Sequence, residues 1–155
     1  MKKNKLIFAV VLLALVLYFR PLSFPELSFE DVDNLNIHKV YLLFENGTPS
    51  MDSTTYDFEE GSPEAEAIGE ILGRYSYRRS LRTPFPNTDL EGNDAGFFLH
   101  IWGENLYIST SGTGEITVND RVYRMGLFGN RNNLAFMEEI AAVLAEAAPH
   151  DAAIP

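Results

Sequence analysis

Residues 97–125 read FFLHIWGENLYISTSGTGEITVNDRVYRM, and this stretch decides the fold. Phe97, Leu99 and Ile101 alternate with Phe98, His100 and Trp102, the period of a strand with one covered face. Gly103-Glu104-Asn105 breaks the run, and Leu106 to Thr110 resumes it. Ser111-Gly112-Thr113-Gly114 makes a second turn and Glu115 to Val118 a third strand. Asn119-Asp120 is a two-residue hairpin turn, and Arg121 to Met125 closes the meander. Phe97, Leu99, Ile101, Leu106, Ile108, Ile116 and Val118 keep one side apolar. The other side carries His100, Tyr107, Ser109 and Thr117, with Phe98 and Trp102 as apolar exceptions. This is the pattern of an antiparallel sheet covered on one side.

The flanking segments complete the plan. Ile37 to Phe44 is rich in β-formers and stops at Glu45-Asn46-Gly47-Thr48-Pro49, where Asn-Gly signals a turn. Thr54 to Phe58 is a shorter strand, with Thr54, Tyr56 and Phe58 on one face. A helix opens at Ser62-Pro63, with Ser62 as cap, Pro63 in the first helical position, and Glu64 and Glu66 near the positive dipole end. Ala65, Ile68, Ile71, Leu72 and Tyr75 form its apolar stripe. Tyr77 to Leu81 reads as another strand, ahead of a Pro/Asn/Asp/Gly loop over 83–96. A last helix runs from about Asn133 to Ala147, striped by Phe136, Met137, Ile140, Val143 and Leu144. The expected fold class is α+β, a two-layer sandwich. Five to six antiparallel strands are expected to carry two helices on the apolar face.

The N-terminus supplies topology. Lys2, Lys3 and Lys5 precede an apolar run over 6–19, closed by Arg20-Pro21. Fourteen helical residues reach roughly 21 Å, short of the ~30 Å hydrocarbon layer, which suits a signal-peptide core. The exit Tyr18-Phe19-Arg20-Pro21 lacks the small-x-small pair that a signal peptidase needs, which suits an uncleaved anchor. Residues 1–20 are therefore read as a signal-anchor with its N-terminus inside, and a cleaved leader giving a secreted protein is the alternative. Residues 21–36 read as a tether, 37–148 as one extracytoplasmic domain and 149–155 as a loose tail. All 22 acidic residues lie beyond Arg20, against eight of the 12 Lys and Arg, which leaves that part of the chain at −14. Such a body repels nucleic acid, which is excluded as a partner. With no cysteine, the exported core must hold without disulfides.

No catalytic pattern emerges. His38, His100 and His150 are scattered without metal-ligand spacing, so no metal and no cofactor are expected. Ser80, Ser109 and Ser111 have no evident base, and Gly-x-Ser-x-Gly is absent. Ser111-Gly112-Thr113-Gly114 resembles a phosphate loop only superficially, since no Lys follows. Acid pairs such as Glu59/Glu60 and Glu138/Glu139 are neighbours on a surface, not opposed across a cleft. Asp89, Glu91 and Asp94 belong to a solvated turn over 87–94 in preference to a calcium loop.

The compositional oddity is Arg74, Arg78, Arg79 and Arg82, packed around Tyr75 and Tyr77. Read blandly, they neutralise acids of the same domain near a helix end. Read sharply, Arg78, Arg79 and Arg82 bind an anionic wall polymer, a lipid headgroup or carboxylates of an envelope protein. Tyr77 and Trp102 are then the exposed aromatic candidates. The expected function is a non-catalytic binding or protein-interaction module, held to the membrane through residues 6–19. The alternative is an extracytoplasmic hydrolase whose carboxylates converge only in the fold.

The order strand 37–44, strand 54–58, helix 62–75, meander 97–125 and helix 133–147 resembles, in layout, small membrane-tethered or secreted Gram-positive domains of unknown function. The resemblance implies no catalytic residues.

Overall fold

The computed structural model describes residues 2–27, 34–45, 48–81, 97–126 and 129–147. In chain order its elements are α1 (Lys2–Tyr18), a 3-10 turn (Phe24–Glu26), β1 (Leu35–Glu45), β2 (Thr48–Phe58), α2 (Pro63–Arg74) and β3 (Tyr77–Arg79). They continue with β4 (Phe97–Trp102), β5 (Tyr107–Thr110), β6 (Glu115–Val118), β7 (Arg121–Met125) and α3 (Gly129–Glu146). The class is α+β, built on one antiparallel sheet of seven strands in the order β2-β1-β4-β5-β6-β7-β3.

The sheet is thus larger than the five to six strands expected. Only three residues of the 77–81 segment form β3, yet they pair with β7 and become an edge. β1 and β2 are also longer than their apolar patterns, because they zip together as a hairpin from Leu35↔Phe58 to Glu45↔Thr48. Backbone pairing carries a strand past the point where its side chains stop alternating.

Core residues come from the predicted faces. Ile37, Leu99, Ile101, Ile108, Ile116, Val118, Tyr123 and Met125 line the covered side of the sheet. Ala65, Ile68, Ile71 and Leu72 of α2 and Phe136, Met137, Ile140 and Leu144 of α3 pack over them. Ser62 accepts a hydrogen bond from the Ala65 N–H at 3.3 Å, as its capping position requires. Asn119 and Asp120 adopt φ of 45° and 64°, the left-handed pair of a tight hairpin turn.

Two boundaries move. Helix α3 starts at Gly129, four residues before the expected start at Asn133. The segment read as a tether is partly built into the domain. Leu22 exchanges two backbone hydrogen bonds with Tyr77, at 2.7 and 2.9 Å, and both Leu22 and Phe24 are buried in the core. The two prolines and sparse apolar residues of 21–27 hide this, because a short segment that docks onto an edge strand needs no periodicity. Ser23 and Glu26 close a capping box over the 3-10 turn. The Ser23 N–H, and then the Arg20 guanidinium, hold the Glu26 carboxyl below its ordinary pKa.

A buried polar latch fixes α3 to the sheet. Asn133, fully buried, donates to Thr110 Oγ1 at 2.7 Å, lies 3.3 Å from Met125 Sδ and accepts from the Gly114 N–H at 3.3 Å. Thr110 in turn donates to the Glu115 carbonyl at 3.0 Å. Helix α1 is different in kind. Its large apolar residues from Leu6 to Tyr18 are 43–70% exposed and contribute nothing to the core. No helix among the described residues is long and apolar enough to cross a membrane.

Candidate functional site

Helices cover one face of the sheet, so the opposite face is where side chains meet solvent. His38 on β1 pairs directly with His100 on β4, and His100 with Ser109 on β5. One step along, Trp102 pairs with Tyr107. Alternation places all four rings on the open face. The His38 ring lies edge-on to Trp102, with centroids 4.6 Å apart, and His100 stacks on Trp102 at 5.4 Å. Tyr107 completes the patch, 5.6 Å from Trp102 and 6.3 Å from His100. Its hydroxyl approaches His100 Nδ1 at 3.4 Å. Burial under these rings, and then the charge of His38, hold the His100 pKa below its ordinary value, so His100 is neutral at pH 7.

Beside this patch lies an open depression of about 370 Å³. Trp102 and Tyr107 form its aromatic wall, and Glu104, Asn105, Asn119 and Asp120 form its polar rim. The rim is braced through Asn119. Its side chain accepts from the Tyr107 N–H at 2.8 Å and donates to the Asn105 carbonyl at 3.1 Å, tying one hairpin turn to the other. Glu104 and Asp120 enter no ion pair among the described residues.

Among the described residues, Arg74, Arg78 and Arg79 do not converge. Arg74 pairs with Glu139 at 2.9 Å, which Tyr75 also reaches with a 2.9 Å hydrogen bond. Burial and then that hydrogen bond push the Tyr75 hydroxyl up to about 12. Arg78 and Arg79 project to opposite faces of β3. Arg78 sits directly across from Arg124 on the open side, where Glu115 lies 3.9 Å from Arg124 and accepts from Ser80 at 3.3 Å. The Arg78 Nε is buried without a hydrogen-bond partner among the described residues. Arg79 lies on the helix side, its guanidinium 5.0 Å from the Tyr18 ring of α1. Arg82 and the 87–94 turn fall outside the described residues, as do the Asn46-Gly47 turn and the 149–155 tail.

Of the two aromatics expected to be exposed, one is. Trp102 is 36% exposed and forms the centre of the ring patch. Tyr77 is corrected: it is fully buried and donates its hydroxyl to the Leu72 carbonyl at 2.8 Å, and burial, then the neighbouring Tyr75, raises its pKa far above the ordinary tyrosine. Two-residue alternation from Tyr75 and Met125 predicts that inward orientation once β3 is known to pair with β7. Trp102 and Arg78 also stand four strands apart, roughly 19 Å at ~4.8 Å per strand, too far for one small site.

Tyr107, His38, Glu104 and Asp120 were not among the expected site residues. The i, i+2 spacing of His100 and Trp102 signals a shared face, and the Gly103-Glu104-Asn105 turn signals that Tyr107 returns beside them. His38 joins through the β1–β4 pairing, 62 positions away in the chain, which no local pattern marks. Among the described residues no group of three or more His, Cys, Asp or Glu is arranged to hold a metal ion. No protein-family model, no curated protein and no solved structure matches this chain.

Proposed function

We propose that this protein is a membrane-anchored, extracytoplasmic binding module, non-catalytic, which presents the open face of its sheet to a partner in the cell envelope. The observation that carries the reading is the exposure of α1. Ten Leu, Ile, Val and Phe side chains between Leu6 and Leu17 lie open on every side of the helix. Left in water, each such side chain forgoes about 1.5–3 kcal/mol of burial, so the helix calls for an apolar medium. A short apolar run is a manageable mismatch. Thinning the bilayer by ~9 Å, at a few tenths of a kcal/mol per Å, costs roughly 3 kcal/mol. Insertion of ten such residues returns roughly 3–6 kcal/mol. Tyr18 and Phe19 suit the headgroup belt, and Lys2, Lys3 and Lys5 favour a cytoplasmic N-terminus.

The full chain with a reporter fused behind Pro155, expressed in a bacterial host, tests the reading. The protein should pellet with membranes, resist alkaline extraction and expose its reporter outside the cytoplasm. Leu13→Arg, at the middle of the apolar run, should release it. Recovery of the wild type from the soluble cytosol would overturn the proposal.

A further inference from the structure

We infer that the ring patch and the depression beside it form a saccharide-binding site, taking a neutral or N-acetylated oligosaccharide. The inference deepens the reading of the open face as a binding surface and does not depend on the anchor. A pyranose ring has an apolar C–H face and a rim of hydroxyls. It therefore matches an aromatic surface bordered by hydrogen-bond acceptors. Trp102 and Tyr107 supply that surface, with centroids 5.6 Å apart and planes tilted by 42°, while His100 stacks against Trp102 at 29° and His38 meets it edge-on. The Glu104 and Asp120 carboxylates on the rim are acceptors for sugar hydroxyls.

Charge narrows the class. Among the described residues no Lys, Arg or His lines the depression, and it opens on a body of charge −14. A phosphate-rich or uronic-acid polymer would be repelled there. A neutral glycan is not. Preorganisation adds to the case. The Asn119 side chain and the 45° and 64° φ angles of the Asn119-Asp120 turn fix the rim, and cross-strand pairing fixes the rings. Little side-chain freedom remains to be lost on binding.

Trp102 is the chain's only tryptophan, so its emission reports on this site alone. The test uses the full chain in a detergent without sugar headgroups, titrated with the hexamer of N-acetylglucosamine and with cellohexaose. At least one should shift the emission saturably, with a matching heat in calorimetry. By calorimetry Trp102→Ala should weaken binding at least about tenfold, while Trp102→Tyr retains most of it. Asp120→Asn should change affinity less than Trp102→Ala, since an amide still accepts. Circular dichroism of each variant separates lost binding from lost folding, and Trp102→Tyr keeps the test decisive if Trp102→Ala unfolds. Failure of both hexasaccharides to bind overturns the inference and leaves the anchored-module reading to its own membrane test. Binding unchanged in Trp102→Ala, or an emission shift that follows protein concentration instead of sugar, overturns it equally.

Discussion

Replacing Asn133 by alanine removes the latch between α3 and the β5–β6 turn, and its cost follows from the two hydrogen-bond partners it leaves behind. Asn133 is fully buried and donates to Thr110 Oγ1 while accepting from the Gly114 N–H. Two hydrogen bonds at about 1 kcal/mol net each set a floor of ~2 kcal/mol. The Gly114 N–H, itself buried, then lacks an acceptor, which adds about 1–2 kcal/mol. The total is about 3–4 kcal/mol, a large share of the 5–15 kcal/mol typical of a domain. At this chain length each kcal/mol lowers Tm by about 2–4 °C, so a fall of roughly 6–16 °C is expected. Urea unfolding of the full chain in micelles, followed by far-ultraviolet circular dichroism, reads the change directly. Thr110→Val alone should cost less, and the double variant less than the sum, because the two share one bond. A loss below about 0.5 kcal/mol for Asn133→Ala would refute the reasoning, since an exposed asparagine costs about that.

Three further outcomes follow from single sites. The lowered His100 pKa means that the unfolded chain takes up its proton first as pH falls. Stability is therefore full above about pH 6.5 and declines below it, and His100→Gln should flatten the urea midpoint between pH 7.5 and 5.5; equal slopes in both proteins would count against this. Gly126 has φ of +63° and an added Cβ would fall 2.1 Å from Asn132 Nδ2, whereas Gly73 has open space within α2. Gly126→Ala should cost about 2–3 kcal/mol and Gly73→Ala should gain about 0.5–1 kcal/mol by chemical denaturation, and a reversed order would refute the assignment. Arg78 faces Arg124, which has Glu115 3.9 Å away, so Arg78→Thr should raise stability by a few tenths of a kcal/mol at low salt. The advantage should vanish at 1 M NaCl, and destabilisation at low salt would sink the repulsion argument.

The meander was legible because its side chains alternate in a half-covered sheet. Phe97, Leu99 and Ile101 went inward, and the Asn119-Asp120 turn formed where the sequence placed it. The α2 cap was equally local, since Ser62 and Pro63 act within one turn. Strand order was not legible. β1 inserts between β2 and β4, and β3 closes the far edge, through pairings that loop entropy and burial settle together. The site divides in the same way. The exposure of Trp102 follows from strand alternation, and the same alternation places Arg78 and Arg79 on opposite faces of β3. Asn133 carried no signal, because a polar residue in a helix ordinarily marks the solvent side.

Only Phe19, Arg20 and Pro21 separate the end of α1 from the strand-like exchange at Leu22. Fully stretched, three residues span roughly 10 Å, so the body has no leash on which to wander. With that helix immersed in lipid, every tilt of its axis would swing the sheet bodily about its β3 edge, and the ring patch, four strands from that edge, would sweep a wide arc.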